Sequence, residues 1–272
     1  MSQPHREYVL GTGDDELARL GLQHRLWADA AHAAWKLAGI GLGSRVLDVG
    51  CGPGYASCDL AELVGPHGAV VGLDESPGFI TRVAEQAAAR GLSQLRGQVA
   101  DVQALEGLAD FDVAYARWVL CFVPRPEAVV AGVARALRPG GRFVIHDYFN
   151  YTTMTMAPRR ASHDKAVAAT AASWKARGGD PDIAGRLPRL LAEVGLRVTH
   201  LAQHARVARG SDSMFAWPDT WWRTYAPKLV DMGLLEPTDC QALIADLDAI
   251  RGSETDYIVV PPVFEIVAEK LG

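Results

Sequence analysis

The sequence predicts an α/β fold: a doubly wound, mostly parallel sheet that carries helical caps. Three observations point there. Short β-rich runs alternate with helical runs of roughly 10 to 15 residues through the first half of the chain. A glycine turn, Gly50-Cys-Gly-Pro-Gly54, stands between the first strand and the helix after it. Acidic residues, Asp74 and Asp101, close the next two strands. Parallel strands joined by right-handed crossovers produce this rhythm.

In chain order, Leu17, Leu20, Leu26, Trp27, Ala30, Ala34 and Leu37 recur at helical spacing, so one or two helices occupy Glu16 to Ala38, and Gly39 to Gly43 stops them. Arg45 to Val49 reads as a strand and Tyr55 to Val64 as a helix. Ala69 to Leu73 is the next strand, Pro77 to Arg90 a helix, and Leu95 to Ala100 and Phe111 to Ala116 are strands. Helix Glu127 to Leu137 and strand Arg142 to His146 complete the alternation near residue 147. Asn150 to Gly179 then reads as a helical insertion without a strand, and Ile183 to Glu193 as a helix. Leu196 to Arg209 and Tyr257 to Glu269 read as two long strands able to pair antiparallel. Between them lies a second helical insertion, Ser211 to Arg251, rich in aromatics.

Composition narrows the function. With 272 residues there is room for one large domain and a cap. Hydrophobic residues at 49% and charged residues at 22% describe an ordinary folded protein. Lys and Arg number 27 against 32 Asp and Glu, a net charge of −5, so a broad cationic surface for nucleic acid is not expected. Four cysteines without a CxxC pair argue against a zinc ribbon or a disulfide framework. The polar first residues and the lack of a long apolar run suggest a cytoplasmic protein with no membrane span.

The glycine turn lets the backbone bend sharply and lets a ligand approach where a Cβ would collide. Its Gly50-x-Gly52-x-Gly54 spacing differs from the dinucleotide fingerprint, and no Lys-Ser/Thr follows as a phosphate loop requires. No YxxxK pair supports a nicotinamide-dependent oxidoreductase either. Asp48, two residues before the turn, repels phosphate and suits a ligand carrying an ammonium or sulfonium. Asp74 is placed to accept both hydroxyls of a ribose. Asp101 can take the exocyclic amine of adenine while a backbone amide reads the ring.

Val46 to Gly54, Gly72-Leu-Asp-Glu-Ser-Pro77, Val99-Ala-Asp101 and Ala136-Leu-Arg-Pro-Gly-Gly-Arg142, in this order, resemble class I S-adenosylmethionine-dependent methyltransferases over residues 44 to 147. The resemblance implies a Rossmann-like seven-stranded sheet with its last strand antiparallel. It also implies S-adenosyl-L-methionine as cofactor and S-adenosyl-L-homocysteine as product. By the same resemblance Gly50 and Gly52 lie along the methionine part, Asp74 on the ribose with Glu75 and Ser76 beside it, and Asp101 with Val102 on the adenine. Arg117 falls by the methionine moiety, where family members often carry Ser, Asn or His, so its contact is with the cofactor carboxylate or with substrate. The segment from Tyr8 to Gln23 is similar to a lid in bacterial small-molecule methyltransferases, which makes Tyr8 and Gln23 candidates to close the methionine end. Residues 1–43 are then an N-terminal helical lid, and 44–272 the methyltransferase domain with insertions at about 150–182 and 211–251.

Methyl transfer from a sulfonium is a direct displacement, so the protein's tasks are alignment and exclusion of water. If the acceptor must lose a proton, His146 at the end of its strand is the best-placed base, with Tyr148 beside it as a positioning group. The competing reading of His146 is a hydrogen-bonded strand-end histidine. His200 and His204 share a strand face but stand roughly 13 Å apart, too far for one metal. With no metal-ligand motif in the chain, metal-independent transfer is expected. Trp118, Phe215, Trp217, Trp221 and Trp222 are candidates to line a hydrophobic acceptor site, or else the buried face of the cap helices. The expected partner is a small organic acceptor, as in secondary metabolism or in quinone and lipid modification, with the chain a monomer or homodimer. Alternatives are a cofactor-supported step such as cyclisation, and a non-catalytic binding subunit.

Overall fold

The computed structural model describes residues 13–272. Tyr8 lies outside the described residues. Helices α1 (Asp14–Leu26) and α2 (Ala28–Leu37) precede the alternating unit β1 (Arg45–Val49), α3 (Tyr55–Val64), β2 (Ala69–Asp74), α4 (Pro77–Arg90), β3 (Leu95–Val99), β4 (Phe111–Arg117), α5 (Pro126–Ala136) and β5 (Leu137–Tyr148). Then come β6 (Thr155–Ala157), α6 (Ala161–Ala176), α7 (Leu187–Glu193), β7 (Leu196–His204), β8 (Val207–Arg209), α8 (Ala216–Asp231), α9 (Pro237–Arg251), β9 (Tyr257–Val259) and β10 (Val263–Lys270).

Seven strands form one sheet in the order β3-β2-β1-β4-β5-β10-β7. Strands β1 to β5 pair parallel, and β10 runs antiparallel to both neighbours. Both faces are covered, so central strands are largely apolar: in β1, Val46 packs on the side of α2 and α3, while Leu47 and Val49 face the other. Local chemistry sets the element ends. Helix α4 starts where the Ser76 hydroxyl accepts from the Phe79 amide at 3.2 Å, with Pro77 in the first turn, and stops at Gly91 in the left-handed region.

Three expectations need correction. The run 196–209 is two strands, and so is 257–269: β7 and β10 stay in the main sheet, whereas β8 and β9 join β6 in a small antiparallel sheet ordered β6-β9-β8. Pro261 and Pro262 have no amide hydrogen for a ladder and force the break between β9 and β10. The first insertion therefore does contain a strand, β6. The helix expected from Ile183 begins only at Leu187, because Pro188 is tolerated in a first turn and not further in.

The cap packs α6, α8 and α9 together with the small sheet, and α8 also touches α1. Ion pairs join its helices: Lys165 to Asp239 at 2.7 Å, Arg223 to Asp248, and Arg251 to Asp219, the last two linked by the Arg223–Asp219 pair within α8 at 2.9 Å. No helix among the described residues is long and apolar enough to cross a membrane.

Candidate active site

The strand order reverses between β1 and β4, and there, beyond the carboxyl ends of the strands, a cavity of about 1470 Å³ opens under the cap. One half of it is polar and glycine-rich. Gly50 adopts φ +67°, and a Cβ on it would lie 2.5 Å from Val119 Cγ2, so this position requires glycine. Gly52, at φ +55°, has nothing within 4 Å of where a Cβ would stand: its α-carbon faces open cavity. Val119 is aimed at the turn by Trp118, which holds a left-handed φ of 53° and donates its amide to His146 O at 2.8 Å. A bulky residue in that region costs about 1–3 kcal/mol, strain that the surrounding structure must hold.

Asp74 clamps the turn. Its Oδ2 accepts from Gly52 N and its Oδ1 from Ser76 N, both at 2.9 Å, and burial raises its pKa against those bonds. Each oxygen keeps a second acceptor position for a hydroxyl donor. Asp48 is buried and accepts from Ser57 Oγ at 2.5 Å. Burial pushes it up to about 6, while Ser57 and Arg117 pull the other way. Asp101 accepts from Gln103 N at 2.8 Å and lines the cavity with Val102 and Glu75. The Ser76 hydroxyl is committed to capping α4, so this residue offers the cavity little beyond its backbone.

Arg117 Nη2 donates to His24 Nδ1 at 2.9 Å, and His24 Nε2 lies 2.9 Å from Asp59 Oδ2. Asp59 thereby fixes the tautomer with the proton on Nε2, leaving Nδ1 as acceptor for the guanidinium. Arg117 Nη1 is buried with no hydrogen-bond partner. On the lid side, Gln23 Oε1 accepts from Arg19 Nη1 at 3.1 Å and from Trp217 Nε1 at 3.0 Å.

The other half is aromatic. Trp118 stacks on Tyr148 at 6.1 Å and on Trp217 at 5.6 Å between centroids, and Trp221 stacks on Tyr225 at 4.5 Å. Tyr151, Met154 and Trp174 extend the wall. Of the sequence candidates, Gln23, Asp48, Gly50, Gly52, Asp74, Glu75, Ser76, Asp101, Val102, Arg117, Trp118, Tyr148, Trp217 and Trp221 all line this one cavity. Three do not. Phe215 is buried beneath Arg251 in the short turn before α8, and Trp222 is fully buried against His163, because these positions turn their side chains into the cap interior. His146 is 1% exposed behind the wall, its Nε2 3.1 Å from Glu265, so the structure gives it the hydrogen-bonded strand-end role and not that of a base on the cavity. Sequence reasoning missed His24, which sits 93 residues from the arginine it holds and has no spacing signature. Tyr151 and Trp174 were accessible as further aromatics of the first insertion.

Residues 41–195, more than half of the chain, match the profile of a methyltransferase-domain family. The chain is a class I S-adenosylmethionine-dependent methyltransferase. It is 40% identical over 101 residues to nocamycin O-methyltransferase of Saccharothrix syringae, covering 37% of this chain and 36% of that protein. It is 37% identical over 101 residues to aklanonic acid methyltransferase of Streptomyces sp. strain C5, covering 37% of this chain and 46% of that protein. The matched segment thus spans less than half of either relative. A putative methyltransferase of Bacillus halodurans C-125 shares the fold with a TM-score of 0.61 and 15% identity, over 89% of this chain and 98% of that one.

The cavity of this methyltransferase fits its cofactor. Its polar half offers a buried guanidinium nitrogen lacking a partner, a clamped carboxylate with spare acceptor positions and an open glycine α-face. S-adenosylmethionine brings a carboxylate, a ribose diol and a flat adenine to match.

Proposed function

We propose that this methyltransferase transfers a methyl group to a small, flat, largely apolar organic acceptor held in the aromatic half of the cavity. The observation that carries the reading is the continuity of the two halves: Trp118, Tyr148, Trp217 and Trp221 line the same cavity as Asp74 and Arg117. Two relatives are named for acting on nocamycin and on aklanonic acid, which supports an acceptor of secondary metabolism.

The bound cofactor supplies an electrophilic methyl on a sulfonium, so no covalent enzyme intermediate and no metal step are required. Asp74 takes the ribose, Asp101 and the Val102 amide the adenine, and Arg117 the methionine carboxylate. Glu75 stands beside the ribose, and Gly50, Gly52 and Gln23 complete the methionine end. Asp48, near the turn, is a counter-charge for the positive part of the ligand. Trp118, Trp217 and Trp221 sandwich the acceptor and exclude water, which aligns the nucleophile with the methyl. Burial holds the Tyr148 phenol well above its usual range, so it keeps its proton and orients the acceptor by hydrogen bonding. None of Trp118, Tyr148, Trp217 and Trp221 is an ionised base, so this wall suits acceptors that are already nucleophilic or acidic at working pH.

The test is incubation of the protein and S-adenosylmethionine with a panel of aromatic hydroxy-acids and polyketide-like phenols, read by mass spectrometry for gain of one methyl. Trp217→Ala should raise the acceptor KM about tenfold or more, the scale of losing a buried aromatic contact, while leaving S-adenosylhomocysteine affinity within a few-fold. Conversion of an acceptor without mass gain would move the weight to a cyclisation-type reaction. Cofactor binding with no conversion of any acceptor would favour a binding subunit.

A further inference from the structure

Behind the cavity wall, the face of the sheet covered by α2 and α3 carries a second polar cluster. Strand register sets His146 of β5 opposite Glu265 of β10, and Glu265 opposite Ala202 of β7. His200 and His204 stand two residues to either side of Ala202, on the same face and diagonal to Glu265. The small Ala202 side chain leaves both rings room to lean inward. Each strand thus contributes to one point, although the two β7 histidines never need to meet.

His146 Nε2 lies 3.1 Å and His204 Nε2 2.9 Å from Glu265 Oε2, and His200 Nε2 lies 3.0 Å from Oε1. The ligand-type atoms of His146, His204 and Glu265 all lie within 4.8 Å of one another. Metal bonds of about 2.0–2.2 Å put neighbouring ligand atoms roughly 3.0–3.5 Å apart, so a small closing of the three side chains encloses an ion. The carboxylate is 4% exposed, so its charge is buried and a bound cation would neutralise it. His200 adds an independent observation: its Nε2 is buried and makes no hydrogen bond, despite its closeness to Oε1. That is the arrangement of a group set for something other than a simple N–H donation. His204 and His200 are 27% and 35% exposed at the side chain, which gives an ion a way in from solvent.

We propose that His146, His204 and Glu265 form a binding site for a divalent transition-metal ion of the zinc class, with His200 steadying the second oxygen of the carboxylate. Two imidazoles and one carboxylate are a donor set suited to such ions and poorly suited to magnesium or calcium. The ion is structural. Trp27 and Tyr115 separate it from the cavity: the Trp27 ring lies 6.3 Å from His204, 4.9 Å from Trp217 and 5.6 Å from Trp118, and the Tyr115 ring lies 5.9 Å from His146. The site fastens edge strand β7 to β10 and β5 and takes no part in methyl transfer.

The experiment uses the untagged full chain, stripped with a chelator and dialysed, then titrated calorimetrically with zinc and, in parallel, with cobalt followed by its visible absorption. Expected are one equivalent bound, a cobalt spectrum of low-symmetry nitrogen and oxygen coordination, and a rise of several degrees in Tm on metal addition. His204→Ala, at a partly exposed position that leaves the fold intact, should abolish all three, and Glu265→Gln likewise. His200→Ala should keep the stoichiometry and weaken binding about tenfold. S-adenosylhomocysteine affinity should be the same with and without metal. No saturable uptake at micromolar metal overturns the proposal and leaves a hydrogen-bonded His–Glu network. Uptake that survives His204→Ala overturns it as well.

Discussion

Replacing Arg117 by Met keeps most of the side-chain volume and removes the guanidinium that stands at the methionine end of the cavity. In the wild-type chain one nitrogen of that group, Nη2, is tied to His24 at 2.9 Å and the other, Nη1, is buried and unpaired. A hydrogen bond to a charged group contributes about 1.5–3 kcal/mol, so losing the Nη1 bond to a cofactor carboxylate weakens S-adenosylhomocysteine binding roughly 10- to 150-fold. His24→Leu leaves the charge but frees the group to wander. The loss there is one ordinary hydrogen bond of about 1 kcal/mol, or roughly fivefold in Kd. Because both changes act through a single guanidinium, adding His24→Leu to Arg117→Met should cost nothing more. Calorimetry with S-adenosylhomocysteine at pH 8 measures all three. The pH profile supplies a sign. Burial lowers the His24 pKa from 6.5, with the Asp59 hydrogen bond opposing and Arg117 assisting. The acceptor lone pair on Nδ1 is therefore intact at pH 6.5 and above, and protonation turns the acceptor toward a cation only at a pH below that. Affinity should be flat at high pH and fall at acid pH, and His24→Leu should flatten the fall. An Arg117→Met Kd within twofold of wild type, or additive losses in the double variant, would refute the reasoning.

Gly50→Ala should abolish cofactor binding and lower stability by about 1–3 kcal/mol, since the new methyl meets Val119 in a left-handed backbone; calorimetry and a denaturant midpoint check it, and wild-type values contradict the turn geometry. His163 in α6 is fully buried, and neither ring nitrogen has a hydrogen-bond partner. Burial pushes its pKa to about 4 from 6.5. The folded state therefore loses stability as pH falls from 6.5 toward 4, by up to roughly 3 kcal/mol, because only the unfolded chain takes up the proton there. His163→Leu should raise Tm at neutral pH and shrink that acid loss, as read by thermal melts across pH; an unchanged acid profile counts against it. Asp74→Ala should cost at least tenfold in S-adenosylhomocysteine affinity through loss of the ribose diol and of the two backbone amides it clamps, measured by the same calorimetry.

What the sequence disclosed follows the reach of its signals. Strand β1, helix α3 and helix α4 were legible to the residue because their determinants are local: apolar runs, a glycine turn, a serine cap and a following glycine. Asp48, Asp74 and Asp101 were legible because parallel strands end on one side of a sheet, so their terminal residues must converge. The splitting of 196–209 and 257–269 was less so, since long alternating strands look alike whichever sheet they join; only Pro261 and Pro262 marked the break. Within the aromatic stripe, Trp217 and Trp221 face the cavity and Trp222 does not, a matter of one helical step that composition cannot assign. His24 and Glu265 owe their partners to pairings across 93 and 119 residues, and no spacing rule spans such distances.

Gln23 receives two donors on one oxygen, Arg19 from its own helix and Trp217 from the cap. The helix that roofs the cofactor end and the wall of the acceptor chamber thus share a hinge pin. A displacement of α1 that admitted the cofactor would break the Gln23–Trp217 hydrogen bond, and its return would restore it. The shared hydrogen bond predicts an ordered loading, cofactor before acceptor, with the demethylated cofactor the last product to leave. Steady-state kinetics should carry the signature of that order, with S-adenosylhomocysteine competing against the cofactor alone.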